Sequence, residues 1–320
     1  MDALSKIFDD IHLQRSEYFY IHATHEYQFE YQHVPSMVAY IILEGELQLT
    51  FDHSDEPINL QQGDLILLPA GHTHRIYHRQ ENILHTEQIN SFFLTHTHKT
   101  LKFGDVKNQP RIKLLNIRSK LDSHMAKPLL QALPEHLHIH HITTGHVPIW
   151  LQIGLQFLAL ETEQQRPGQD KILDHLFSIL FIECVREHIV TLQDASNWLN
   201  ALTHPELSNA LSAIHGQPDQ SWTVESLAEQ CCMSRSKFAQ TFTQVVGETP
   251  LAYLQQHRLR LAGQYLRNSQ FTVQKISSLV GYLSETAFSQ SFKKQFGLTP
   301  SQYRQKSLED ESTSLRRKQI

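Results

Sequence analysis

The feature that most restricts how this 320-residue chain can fold is a repeat at an offset of 50 residues. Ser234-Arg-Ser-Lys-Phe238-Ala-Gln240-Thr-Phe242 recurs as Ser284-Glu-Thr-Ala-Phe288-Ser-Gln290-Ser-Phe292. Gly247, Thr249, Pro250 and Tyr253 recur as Gly297, Thr299, Pro300 and Tyr303. Upstream the offset becomes 49, pairing Thr223-Val224 with Thr272-Val273 and Leu227 with Ile276, so the second copy has one extra residue in its turn. Self-similarity of this kind marks a repeated supersecondary unit. Each copy reads as two short helices joined by a tight turn, 223–231 then 235–246 and 272–280 then 285–296. Ser234 and Ser284 stand where an N-cap belongs, and Gly247 and Gly297 where a helix end needs a left-handed residue. The spacing predicts a tandem helix-turn-helix.

The second helix of each copy is two-faced. Phe238, Phe242 and Val245 share one face, and Ser236, Ala239, Gln240 and Thr243 the other. In the second copy Phe288 and Phe292 point inward, and Thr286, Ser289, Gln290 and Lys293 outward. The outward side chains are short and hydrogen-bonding, which suits base edges in a major groove. Lys237, Lys293, Lys294 and Arg304, with the capped helix starts, are placed to receive phosphates, and Arg235 completes the DNA-binding set.

Net charge is −5, with 28 Lys+Arg against 33 Asp+Glu, which taken alone argues against a nucleic-acid partner. Located along the chain it does not: residues 1–204 carry −9, 205–306 carry +4, and 307–320 balance. Three cysteines exclude a disulfide scaffold. Cys184 and Cys231 fall within apolar helical stretches, and none lies in residues 1–183 to serve a thiol sensor there. The N-terminus has no targeting pattern, and the most apolar helical stretch, Ile172 to Val190, is interrupted by charged residues. A cytoplasmic protein without a membrane partner is expected.

Gly281-Tyr-Leu-Ser-Glu-Thr-Ala-Phe288-Ser-Gln-Ser-Phe-Lys-Lys-Gln-Phe-Gly297-Leu-Thr-Pro300-Ser-Gln-Tyr-Arg304 closely resembles the signature of AraC/XylS-type transcription regulators. The resemblance covers roughly 203–306, including a leading helix 205–215 and a connecting helix 250–267. It implies two recognition helices entering successive major-groove segments of double-stranded DNA, and activation rather than repression. The outward faces depart from the pattern in having no central arginine, and Glu285 at a helix start repels phosphate.

Residues 17–96 contain strand-like runs, EYFYIH, EYQFEY, MVAYIIL, ELQLTF, DLILLP and THRIYH, which suggest a small sandwich or barrel. Gly63-Asp-Leu-Ile-Leu-Leu-Pro69-Ala-Gly71-His-Thr-His74 resembles the second cupin motif, and Glu44-Gly45 the hairpin closing the first. A metal-binding cupin uses three histidines and a glutamate. The equivalent positions are Tyr31, His33, Val38 and His74, which leaves His33 and His74 of that set as candidate metal ligands, with a rearranged site of His33, His72, His74 and His78 as the alternative, and no cofactor is required. Tyr31, His33, Tyr40, His72, His74 and His78 form the candidate effector pocket. In Glu135-His136-Leu-His138-Ile-His140-His141, extended backbone puts His136, His138 and His140 on one face, where they could bind a divalent ion. Twenty of the 22 histidines lie in residues 1–204, and full protonation would take that half from −9 to +11.

The expected fold is multidomain α+β. A cupin-like β-barrel (jelly roll) with helices occupies 1–145, a helical dimerisation or linker region 146–202, and an all-α tandem helix-turn-helix domain 203–306, followed by a disordered polar tail 307–320. The function read from it is a sequence-specific DNA-binding regulator, a homodimer that senses a small molecule or ion and contacts RNA polymerase. A metal- or pH-responsive regulator and a metal-dependent cupin enzyme are the alternatives. No catalytic triad, P-loop or dinucleotide fingerprint stands out, so no catalytic residue is assigned.

Overall fold

A computed structural model describes residues 2–11, 13–54, 56–78, 83–95, 100–105, 112–122, 124–140, 153, 157, 167–192 and 198–317. His141 and most of the first part of the 146–202 segment lie outside them. The chain forms two compact units, one of Leu13–Asp122 and Leu133–Val190, the other of Met1–His12, Ser123–Ala132 and Thr191–Ile320. Neither unit is one continuous stretch of chain.

The first unit is built on strands β1 (Leu13–Ala23), β2 (Tyr27–Tyr31), β3 (Met37–Glu44), β4 (Leu47–Phe51), β5 (Ile58–Leu60), β6 (Leu65–Leu68), β7 (His74–Tyr77), β8 (His85–Gln88), β9 (Thr100–Phe103), β10 (Ile112–Leu121) and β11 (Leu137–Ile139). They make a six-stranded sheet, β11-β6-β3-β10-β1-β9, and a five-stranded sheet, β5-β4-β7-β2-β8. Alternate residues from both sheets fill one core: Phe19, Ile21 and Ala23 on β1, Val38, Tyr40 and Ile42 on β3, Phe29 and Tyr31 on β2, and Leu49 and Phe51 on β4. This is the period-two patterning of a sandwich, and it confirms the cupin-like architecture. Helix α2 (Ile89–Thr95) adds Ile89 and Phe93 to the same core. Central β10, unforeseen from sequence, pairs antiparallel with both β1 and β3.

Further along the chain, α4 (Gln169–Thr191) packs on the strand unit, where Asp174 accepts from the Ser16 N–H at 2.6 Å and Gln169 donates to the Tyr18 hydroxyl at 2.9 Å. It buries Leu173, Phe177, Leu180, Phe181, Cys184, Val185 and Ile189, and leaves Ile179 and Val190 exposed. Among the described residues no helix is long and apolar enough to cross a membrane.

The helical unit comprises α1 (Ala3–Asp10), α3 (Lys127–Ala132), α5 (Trp198–Thr203), α6 (Ser208–Gly216), α7 (Val224–Gln230), α8 (Arg235–Val246), α9 (Pro250–Asn268), α10 (Val273–Leu279), α11 (Glu285–Phe296) and α12 (Pro300–Arg317). The repeat emerges as α7–α8 and α10–α11, with α9 between them. Thr223, Ser234, Thr272 and Ser284 all accept backbone N–H groups as N-caps. Gly247 at φ 88° and Gly297 at φ 74° close the second helices. The tail expected to be disordered from 307 is instead helical through Arg317, continuing α12 without a break.

The inserted residue in the second turn is Leu283. Counting 49 back, Gly281 (φ 78°) corresponds to Cys232, a non-glycine residue held at φ 53°. The Met233 N–H reaches the Ala228 carbonyl as the Tyr282 N–H reaches that of Ser277, so the two turns run in register until Leu283. A left-handed conformation strains any residue with a Cβ. Cys232→Gly should therefore raise stability by about 1 kcal/mol, read as a higher urea midpoint; an unchanged or lower midpoint would remove the strain argument.

Candidate functional site

Phenylalanines hold α8 and α11 from beneath. Phe238 and Phe242 on α8, and Phe288 and Phe292 on α11, are 0% exposed. Their rings pack at 5.6 Å within each helix. The opposite faces are bare. Arg235, Ser236, Lys237, Gln240 and Thr243 on α8, and Thr286, Gln290, Lys293 and Lys294 on α11, are exposed, while Ala239 and Ser289 are half-buried at the edges of those faces. The structure thus brings the predicted polar sets into two matching surfaces. Thr243 has its hydroxyl proton committed to the Ala239 carbonyl at 2.7 Å, leaving its lone pairs outward. Lys237 reaches Glu206 at 3.5 Å, a weak exposed pairing that a phosphate can replace.

Arg304 is placed differently from the expectation. Its Nε donates to the Leu266 carbonyl at 3.3 Å and its second terminal nitrogen to Phe271 at 2.5 Å. The guanidinium thus ties the end of α9 to α12 rather than facing a phosphate. Lys275, which the repeat did not single out, is exposed in the first turn of α10 and adds a cation to this unit. Its signal in the sequence was only the basic excess of residues 205–306. Glu285 lies in the first turn of α11, where it stabilises the positive helix end and opposes an incoming phosphate.

The six residues assigned to an effector pocket do not form one group. Tyr31, Tyr40 and His74 are each 0% exposed within the strand unit. The His74 Nδ1 lies 2.6 Å from the His72 carbonyl, which can only accept, so Nδ1 carries the proton and Nε2 accepts the Tyr40 hydroxyl at 2.7 Å. Burial pulls the His74 pKa from 6.5 to about 4 and pushes the Tyr31 phenol up to about 12. His33 is exposed and bonds the Gly71 carbonyl at 3.0 Å, with His72 nearby at a ring separation of 6.1 Å. His78 instead stacks on His25 at 3.5 Å.

These positions overturn the pairing of His33 with His74 as metal ligands. Both His74 nitrogens are occupied, His33 turns to a carbonyl, and Val38 offers no donor, so the residues at the usual cupin positions do not fit a metal. Burial also lowers the pKa values of His25, His78, His136, His138 and His188. These imidazoles resist protonation.

Residues 2–190 match a family model described as "Cupin", and residues 227–306 one described as "Helix-turn-helix domain". The chain is 52% identical to the "HTH-type transcriptional regulator AlkR" of Acinetobacter baylyi over 96% of its own length and 100% of the relative's. It is 31% identical to the "RCS-specific HTH-type transcriptional activator RclR" of Escherichia coli K12, covering 78% of each chain. A crystal structure of a transcriptional regulator with an AraC-type DNA-binding domain from Chromobacterium violaceum aligns over 34% of this chain and 96% of its own, at 26% identity and a TM-score of 0.32.

Proposed function

The chain belongs to the transcription regulators that join a cupin domain to an AraC-type DNA-binding domain, and from that premise we propose that it activates transcription at specific operators in response to a small effector taken up by the cupin domain. The observation that carries the operator reading is the matched pair of exposed polar faces, Ser236, Gln240 and Thr243 on α8 and Thr286, Gln290 and Lys293 on α11, each backed by buried phenylalanines. Two such helices are suited to successive segments of a major groove, with Lys237, Lys294 and Arg235 on the flanking phosphates.

Sensing is assigned to residues 1–145, DNA reading to 203–306, and dimerisation to helices of 146–202. Ile179 and Val190, exposed on α4, supply apolar contact for a second copy. Each homodimer then presents four recognition helices, and effector binding shifts the population of the geometry that engages DNA and RNA polymerase. The reading places the protein in the cytoplasm.

Selection of bound sequences from a random DNA pool, followed by footprinting, tests the central claim; a pool that stays random overturns it. Gln240→Ala and Gln290→Ala should each relax preference at one site position by about 1–3 kcal/mol. Lys294→Ala should weaken binding to all sequences and flatten the salt dependence. Uniform weakening by all three variants would remove the base-reading role of the glutamines.

A further inference from the structure

The histidine run at 135–141 converges on a residue from elsewhere in the chain. His138 and His140 stand two apart at the end of β11 and so share a face. β11 pairs antiparallel with β6, Ile139 opposite Leu65 and His138 opposite Ile66. That register brings both imidazoles over Asp64, the residue just before β6. His138 Nε2 is 2.9 Å and His140 Nδ1 3.8 Å from Asp64 Oδ2, and the three donor atoms all lie within 4.8 Å of one another. The two rings are 3.9 Å apart, centre to centre.

We propose that Asp64, His138 and His140 bind a divalent transition-metal ion of the zinc class. Around one ion with bonds of about 2.0–2.2 Å at tetrahedral angles, donors stand about 3.3 Å apart. The observed separations bracket that value, so closure needs only small side-chain movements. His140, with a side chain 66% exposed, has room to make most of them. Asp64, at 2%, is held in place, its Oδ2 accepting the Gln61 N–H at 3.0 Å. Two imidazoles and one carboxylate favour zinc, cobalt, nickel or copper over magnesium or calcium, which take oxygen donors. On binding, the proton that His138 now directs at Asp64 moves to Nδ1, and Nε2 becomes the ligand. A fourth position on the His140 side stays open to solvent, as in an exchangeable site rather than a closed structural one.

A second group of the same composition, Asp10, His215 and His257, is less suited. There His215 is already engaged on both nitrogens, by Asp10 at 2.8 Å and the Tyr253 hydroxyl at 2.8 Å. Arg260 lines the same small cavity and repels a dication. The Asp64 assignment does not depend on what the barrel senses, because the ion would bind whether or not a small effector does.

Calorimetric titration of zinc chloride into chelator-stripped, untagged full-length protein tests it. The parent should take up one tight equivalent, and cobalt at the same site should give the absorption of a nitrogen–oxygen tetrahedron. His140→Ala, a surface change, and Asp64→Asn should each weaken zinc binding at least tenfold. Both should also lose the zinc-dependent rise in melting temperature that the parent shows. Asp10→Asn should bind as the parent does. No zinc uptake by the parent overturns the proposal. So does parent-like affinity in His140→Ala, or loss of the tight equivalent in Asp10→Asn. Should Asp64→Asn fail to fold, His140→Ala still decides.

Discussion

Phe292→Ala is expected to cost about 3–5 kcal/mol and to abolish operator binding, the cost of emptying a packed aromatic site. The ring is 0% exposed and touches Phe288 at 5.6 Å, Phe296 at 4.5 Å and Tyr303 at 5.3 Å, within a core that includes Leu259, Leu266, Ile276 and Val280. That one cluster joins α9, α10, α11 and α12. Domains have only about 5–15 kcal/mol of stability in all, so such a cavity removes much of it. Gln290, two positions away on the opposite face, touches none of this core. Its alanine variant should unfold within about 0.5 kcal/mol of the parent while still altering base preference. Urea titrations followed by circular dichroism separate the two. A loss of less than about 1 kcal/mol in Phe292→Ala would show that the ring does not hold the recognition helix.

The second large effect is acid sensitivity of the strand unit through His74. Its folded-state pKa, about 4, lies below the unfolded value of 6.5. The unfolded chain therefore binds a proton first as pH falls. The stability that neutral His74 contributes is complete above about pH 6.5 and is lost progressively between there and about pH 4. The interval corresponds to roughly 3 kcal/mol. In His74→Gln, a side chain that cannot titrate, the fall in urea midpoint across that range should be visibly shallower than in the parent. Parallel slopes would assign the acid loss to other groups. The effect is one of stability: protonation of the buried imidazole breaks the bond it accepts from Tyr40, and no effector signal is needed to explain it.

Which parts of this molecule could be read from its sequence follows from the range of the interactions. The tandem helix-turn-helix is specified within a few residues by threonine and serine caps, glycine stops and apolar spacing, so it was legible almost to the residue. The strands marked by dense runs of aromatic and aliphatic residues, such as β1 and β3, were also legible. β10 was not, because its run Ile-Lys-Leu-Leu-Asn-Ile-Arg-Ser-Lys-Leu lacks a simple period. Asn116, 0% exposed, bonds the Ala39 carbonyl across the sheet at 3.3 Å. Arg118 is satisfied by Glu17 and by the face of Phe93, 3.9 Å from the ring centre. Both partners are distant in sequence. The histidines were misgrouped for the same reason. His33 and His74 are linked by a family motif, whereas Asp64 meets His138 only through the pairing of β6 with β11. Arg304 looked like a phosphate ligand because nothing local showed the carbonyls of Leu266 and Phe271 awaiting it.

Helix α1 has a practical meaning for how the DNA-reading half is handled. Ala3 and Ile7 are buried in the helical unit, Asp10 bonds His215 at 2.8 Å, and Gln264 of the connecting helix donates to the Asp10 carbonyl at 3.3 Å. The helical unit is thus not encoded by one stretch of gene. A fragment cloned from residue 203 onward leaves out a helix that lies some two hundred codons upstream. It would expose apolar surface on α6 and take away the Asp10 acceptors of His215 and Gln264. Supplying residues 1–11 as a separate peptide should restore part of the missing stability, much as a split protein is completed by its other piece.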